Sequence, residues 1–137
     1  QQGITRELQL LEQRCKGKVL VMDDDETMQE ILGGMLPSMG YVSCHARDGL
    51  EAIEMYRLAL ERGEPFDVVI MDLTVSKGMG GLEAVQQLLR MDHGAKVIVS
   101  SGYADAPAML DCRKYGFSGG LDKPFKVKDL KNLLEAD

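Results

Sequence analysis

Short apolar runs alternate along the chain with stretches whose apolar residues recur every three or four positions. Val19, Leu20, Val21 and Met22 form the first run, Val68, Val69, Ile70 and Met71 a second, and Val97, Ile98 and Val99 a third. Continuous runs of this length are typical of parallel strands, which are covered on both faces. Strands are therefore predicted from near Lys18, over Tyr41 to His45, Phe66 to Met71, Lys96 to Val99, and Ser118 to Leu121.

The stretches between them have helical spacing. Met28, Ile31, Leu32, Met35 and Leu36 make one predicted inward face, ended by Pro37 to Gly40. Asp25 is placed to cap that helix. Asp48 is placed to cap the next, whose face is Leu50, Ile53, Tyr56 and Leu60 and whose end is marked by Gly63 and Pro65. Leu82, Val85 and Leu89 define a third helix. Met109, Leu110 and Tyr115, after Asp105 and Pro107, define a fourth, and Val127, Leu130, Leu133 and Leu134 a fifth. Ile4, Leu8, Leu11 and Cys15 form a narrower stripe, so residues 1–16 read as an N-terminal helical linker or extension. Five strands alternating with five helices imply an α/β domain, (βα)5, over residues 17–137. Right-handed crossovers put helices on both faces of one doubly wound, five-stranded parallel sheet.

Composition narrows the classes. A chain of 137 residues, 45% hydrophobic, suits one domain with a sizeable core. A net charge of −6 argues against nucleic acid or an anionic membrane surface as a partner of this domain. No apolar run approaches the roughly 20 residues of a membrane span, and the start has no signal-peptide pattern. Cys15, Cys44 and Cys112 are odd in number and scattered. They read as reduced thiols of a cytoplasmic protein. The absence of a starting Met fits a fragment of a longer chain or a processed one. His45 and His93 share no motif and read as surface or edge residues, and the methionines as core filler.

The chemistry lies where the apolar runs end. Asp23 and Asp24 follow the first, Asp72 follows Met71, Ser100 follows Val99, and Lys123 follows the stretch Gly119 to Leu121. In open parallel sheets, ligands sit outside the carboxyl ends of the strands. Three carboxylates, a hydroxyl and an ammonium should therefore meet on one edge. Two unit charges about 4 Å apart repel by roughly 4 kcal/mol at an effective dielectric near 20, so three carboxylates on one rim call for a compensating cation. A hard, oxygen-seeking ion such as Mg²⁺ suits them, and with Lys123 it suits a phosphoryl group.

The ordered set Asp23 and Asp24, Asp72, Ser100, Lys123 and Pro124 resembles the receiver domain of two-component response regulators, over residues 17–136. The resemblance implies a flavodoxin-like strand order, 2-1-3-4-5. It implies that Asp72 accepts a phosphoryl group from a phosphohistidine on a sensor histidine kinase or a histidine phosphotransfer protein. Asp23, Asp24, Asp72 and the backbone carbonyl of Thr74 correspond to Mg²⁺ ligands. Ser100 corresponds to the hydroxyl that moves toward the phosphoryl group, Lys123 to the family's ammonium, and the Lys123–Pro124 bond to one usually cis. The domain is then a self-phosphorylating switch and not a turnover enzyme, and a homodimer through the switching face is a further partner of the kind the family uses.

Two departures stand out. Gly120 occupies the position three before the lysine where the family usually has an aromatic relay, with Phe117 or Tyr103 as substitutes. The loop after Asp72, Thr74 to Gly81, reads one residue longer and lacks the usual Pro and Asp-Gly. Its Gly78-Met79-Gly80-Gly81 run, with Ser100-Ser101-Gly102-Tyr103 after the fourth strand, is similar to receivers fused to hybrid sensor kinases. One rival reading takes Asp23, Asp25 and Thr27 as the Asp-x-Asp-x-Thr motif of haloacid-dehalogenase-like phosphatases, with Asp23 as nucleophile. That family expects a further acidic motif after the lysine and gives Asp72 no role. The other rival is a pseudo-receiver, an interaction module without phosphorylation, against which the intact Asp24, Asp72 and Lys123 argue.

Overall fold

The computed structural model describes residues 15–136, so the predicted N-terminal helical stretch lies almost wholly outside the described residues. The elements run β1 (Gly17–Met22), α1 (Glu26–Ser38), β2 (Tyr41–Ala46), α2 (Gly49–Glu61), β3 (Val68–Asp72), α3 (Gly81–Met91), β4 (Val97–Ser101), α4 (Pro107–Leu110) with a 3₁₀ turn (Cys112–Tyr115), β5 (Gly119–Asp122) and α5 (Val127–Glu135). All strand pairings are parallel, as the sequence predicts, and the order is β2-β1-β3-β4-β5, as the family resemblance implies. β3 and β4 are buried along their whole length.

Alternation along the strands sorts the core into two layers. Val19, Val21, Val68, Ile70, Ile98 and Leu121 face α1 and α5, packing with Leu32, Leu36, Leu130 and Leu134. Leu20, Met22, Val69, Met71, Val97 and Val99 face the other layer, with Ala52, Tyr56, Ala84, Val85, Leu88 and Ala108. The predicted caps form: Asp25 accepts from the Thr27 N–H and Asp48 from the Glu51 N–H, both at 2.9 Å.

The predicted inward faces need correction. Ile31, Leu50, Leu82, Leu110 and Val127 are exposed, and Leu50, Leu110 and Val127 are more than half open to solvent. On α2 and α3 the buried stripes carry Gly49, Ala52, Ala59, Gly81 and Ala84, because small residues let a helix approach a sheet closely. α1 does end within the predicted Pro37 to Gly40 stretch, at Ser38, with Pro37 in its last turn. The fourth helix is a single turn, extended by the 3₁₀ segment. Among the described residues no helix is long and apolar enough to cross a membrane. Cys15, Cys44 and Cys112 are free thiols.

Candidate functional site

The same alternation that fills the core carries polar groups out of it. Asp23 continues the face of Val19 and Val21, Asp72 that of Val68 and Ile70, Ser100 that of Ile98, and Lys123 that of Leu121. The ladder extends far enough to hold them. The Asp23 N–H donates to the Ala46 carbonyl (3.0 Å), the Leu73 N–H to Ser100 (2.9 Å) and the Lys123 N–H to Ser101 (2.9 Å). Asp72 and Ser100 are direct register partners on β3 and β4. Asp24 has the opposite parity and joins from the loop side.

Asp23, Asp72 and Ser100 are buried, whereas Asp24 is exposed. One carboxylate oxygen from each of Asp23, Asp24 and Asp72 lies within 4.8 Å of the others. The Lys123 ammonium stands 2.7 Å from Asp23 Oδ2 and 3.4 Å from Asp72 Oδ1. Asp23 Oδ1 also accepts from the Asp25 N–H (2.9 Å), and the Gln29 amide donates to the Asp23 carbonyl (2.7 Å). All five predicted side chains thus come to the carboxyl edge of the sheet. Thr74 lies two residues past Asp72 on the adjoining loop, and the Lys123–Pro124 peptide bond is cis.

Charge in this crevice is finely balanced. Burial pushes the Asp72 carboxyl up to about 6; Lys123 opposes the rise, Asp23 adds to it, and the Thr74 amide opposes it. Burial works against the Lys123 ammonium, yet its hydrogen bond to Asp23 and the charges of Asp72 and Asp23 hold it above the usual lysine value. Hydrogen bonds from the Ser76 hydroxyl and amide hold Asp24 below the usual carboxylate range. Three hard oxygens gathered around one point, two of them desolvated, are a donor set that fits Mg²⁺.

Sequence reasoning passed over Ser76 and Gln29. Ser76 lies in a loop without periodicity, and Gln29 is a polar residue near the start of an amphipathic helix, so neither carries a pattern to read. The glycines of the loop are packed and not slack. A Cβ on Gly80 or Gly81 would stand 2.8 Å from the Leu73 carbonyl oxygen or 2.7 Å from that of Asp72. Asp25, which the phosphatase reading needs in the site, is spent on the α1 cap. Phe117 is locked in the core and Tyr103 is open to solvent. His45 lies on the edge strand, where burial lowers its pKa and its Nδ1 has no hydrogen-bond partner.

The response regulator receiver domain family matches residues 19–135. The chain is a response regulator receiver domain. The receiver is 32% identical over 118 residues to the chemotaxis protein CheY of Thermotoga maritima, covering 85% of this chain and 93% of that protein. It is 30% identical over 120 residues to the osmosensing histidine protein kinase SLN1 of Saccharomyces cerevisiae, covering 85% of this chain and only 10% of that kinase. Its fold superposes on the receiver domain of a Pseudomonas aeruginosa sensor histidine kinase, a structure with magnesium coordinated in its active-site cleft. The TM-score is 0.75 at 24% identity, over 87% of this chain and 94% of that one. The receiver is accordingly a phosphoacceptor module of two-component signalling, in a family of signalling switches.

Proposed function

We propose that Asp72 is the phosphoacceptor and that Asp23, Asp24, Asp72 and the Thr74 carbonyl hold Mg²⁺ beside it. The observation that carries this reading is the convergence of three carboxylate oxygens within 4.8 Å, with the Lys123 ammonium 3.4 Å from Asp72. When bound, Mg²⁺ supplies positive charge to the carboxylates and to the oxygens of a transferring phosphoryl group. An Asp72 oxygen attacks the phosphorus of a phosphohistidine. The new P–O bond forms as the P–N bond breaks, and the donor imidazole leaves with the electron pair. Lys123 neutralises charge gathering on the phosphoryl oxygens, and Ser100, one strand away, donates a hydrogen bond to the product. The phosphoryl group adds about −1.5 to −2 charges at neutral pH, enough to shift the face formed by β4, α4 and β5.

The phosphoryl donor in this reading is a sensor histidine kinase or histidine phosphotransfer protein. Residues 17–137 form the receiver in this reading, and residues 1–16 precede it as a linker or extension of the kind that joins a receiver to a hybrid kinase. The similarity to a short part of a histidine protein kinase supports that placement. The domain acts without nucleic acid or membrane contact, in the cytoplasm, and its switching face offers a route to a homodimer.

Intact mass spectrometry after incubation with acetyl phosphate and Mg²⁺ tests the assignment. The wild type gains one phosphoryl mass and Asp72→Asn gains none. An unchanged adduct in the variant contradicts it. Steady hydrolysis of a phosphomonoester that Asp23→Asn abolishes and Asp72→Asn leaves intact would instead support the phosphatase reading.

A further inference from the structure

Asp24 differs from the other two carboxylates in how it is held. Asp23 and Asp72 are buried and share Lys123, whereas Asp24 is exposed and is gripped from a loop 52 residues further along the chain. The Ser76 N–H donates to Asp24 Oδ2 at 2.8 Å, and the Ser76 hydroxyl donates to the same oxygen at 2.5 Å. Two donors on one oxygen restrict both the rotation and the position of a carboxylate that solvent exposure would otherwise leave free.

The loop is a firm anchor for that grip. Its start is tied to β3, and its end is seated by Gly80 and Gly81 against the Leu73 and Asp72 carbonyls, with the Gly81 N–H donating to Leu73 at 3.1 Å. The Met79 carbonyl accepts from the Gly49 N–H at 2.7 Å, which ties the loop to the start of α2 as well. Gly78 has φ +97°, and a Cβ there would meet the Asp48 carboxylate at 2.9 Å. The loop is therefore packed along its length while it presents Ser76 to Asp24.

We propose that Ser76 is a positioning residue of the metal site, which sets Asp24 in advance as a ligand and so raises the affinity for a divalent cation. This rests on the reading of Asp23, Asp24 and Asp72 as the metal ligands. Hydrogen-bond partners behind metal ligands commonly contribute about 10–100-fold to affinity, because they orient the ligand before the ion arrives.

Calorimetric titration of MgCl₂ into the 137-residue chain tests it, with thermal unfolding of each metal-free variant as the check on folding. Ser76→Ala keeps the amide donor and should weaken Mg²⁺ binding by about tenfold. Ser76→Pro has neither donor and should weaken it further. Ser76→Thr keeps both and should bind as the wild type does. Asp24→Asn serves as the reference for the site itself. If Asp24→Asn weakens binding while Ser76→Ala matches or exceeds the wild type, the positioning role is overturned and the metal site stands. If Ser76→Thr loses as much as Ser76→Ala, packing and not hydrogen bonding is responsible, and the proposal fails. If Asp24→Asn leaves Mg²⁺ binding unchanged, both the site and the role of Ser76 fall.

Discussion

Asp23 and Asp72, on the floor of the crevice, are 2% and 6% exposed and share the ammonium of Lys123; Asp24, on the rim, is open to solvent and held by a loop serine. The floor groups are carried there by strand parity, so the forces that pack the core also desolvate them. Their energies are large and depend on pH, because a buried charge without a partner is costly. The rim group has little desolvation to overcome, and its contacts contribute geometry more than stability. One site thus combines a buried, charge-balanced floor with a rim held by hydrogen bonds from a packed loop.

Removing the floor's counter-charge should give the largest effect. Lys123→Ala leaves Asp23 and Asp72 facing each other and should destabilise the metal-free domain by about 3 kcal/mol at neutral pH, read from urea unfolding. It should also abolish the change in NMR shifts on β4 and β5 produced by beryllofluoride while leaving Mg²⁺ binding largely intact. Equal loss of both would show that Lys123 does not have the separate role assigned to it.

Titrating the floor should come next. A carboxyl whose pKa rises on folding, from 3.8 to about 6 for Asp72, favours the folded state below the unfolded value and loses that contribution as pH rises through the folded value. Asp72→Asn should therefore match the wild type near pH 4 and exceed its stability by on the order of 2–3 kcal/mol at pH 7.5, without metal. Saturating Mg²⁺ should reverse that order, since the ion compensates the ionised carboxylate. A difference independent of pH would place the origin of the effect elsewhere.

Most of this floor was legible in the sequence, because its residues terminate apolar runs whose period and length define strands. Asp23, Asp72, Ser100 and Lys123 needed only the strand ends to be located, and Asp25 and Asp48 announced themselves as caps ahead of periodic stretches. The helix faces were less legible. Leu50 and Leu82 looked inward by hydrophobicity, yet Ala52 and Ala84 take the contact with the sheet, since close approach rewards small side chains that hydropathy ranks low. The short fourth helix was hidden by Met109, Leu110 and Tyr115, whose spacing continues a pattern that the backbone abandons at Asp111. Ser76 left no signal at all, because its role arises between loop and strand end and not within any periodic element.

The smallest effects belong to glycines, one in the rim's loop and one in α1. Gly81→Ala places a Cβ against the Asp72 carbonyl oxygen and should cost about 1–3 kcal/mol by overpacking. Gly34→Ala, in the interior of α1 with nothing within 4 Å of its Cβ, should instead stabilise by about 0.5–1 kcal/mol through helix propensity. Opposite signs in urea unfolding separate a glycine required by close approach from one that is merely tolerated.

The most direct measurement is the address of the phosphoryl group. After phosphorylation with acetyl phosphate and Mg²⁺, borohydride reduction of the acyl phosphate followed by peptide mass spectrometry marks the modified aspartate. Reduction confined to Asp72 is the predicted result; reduction at Asp23 or Asp24, with Asp72 untouched, contradicts the account.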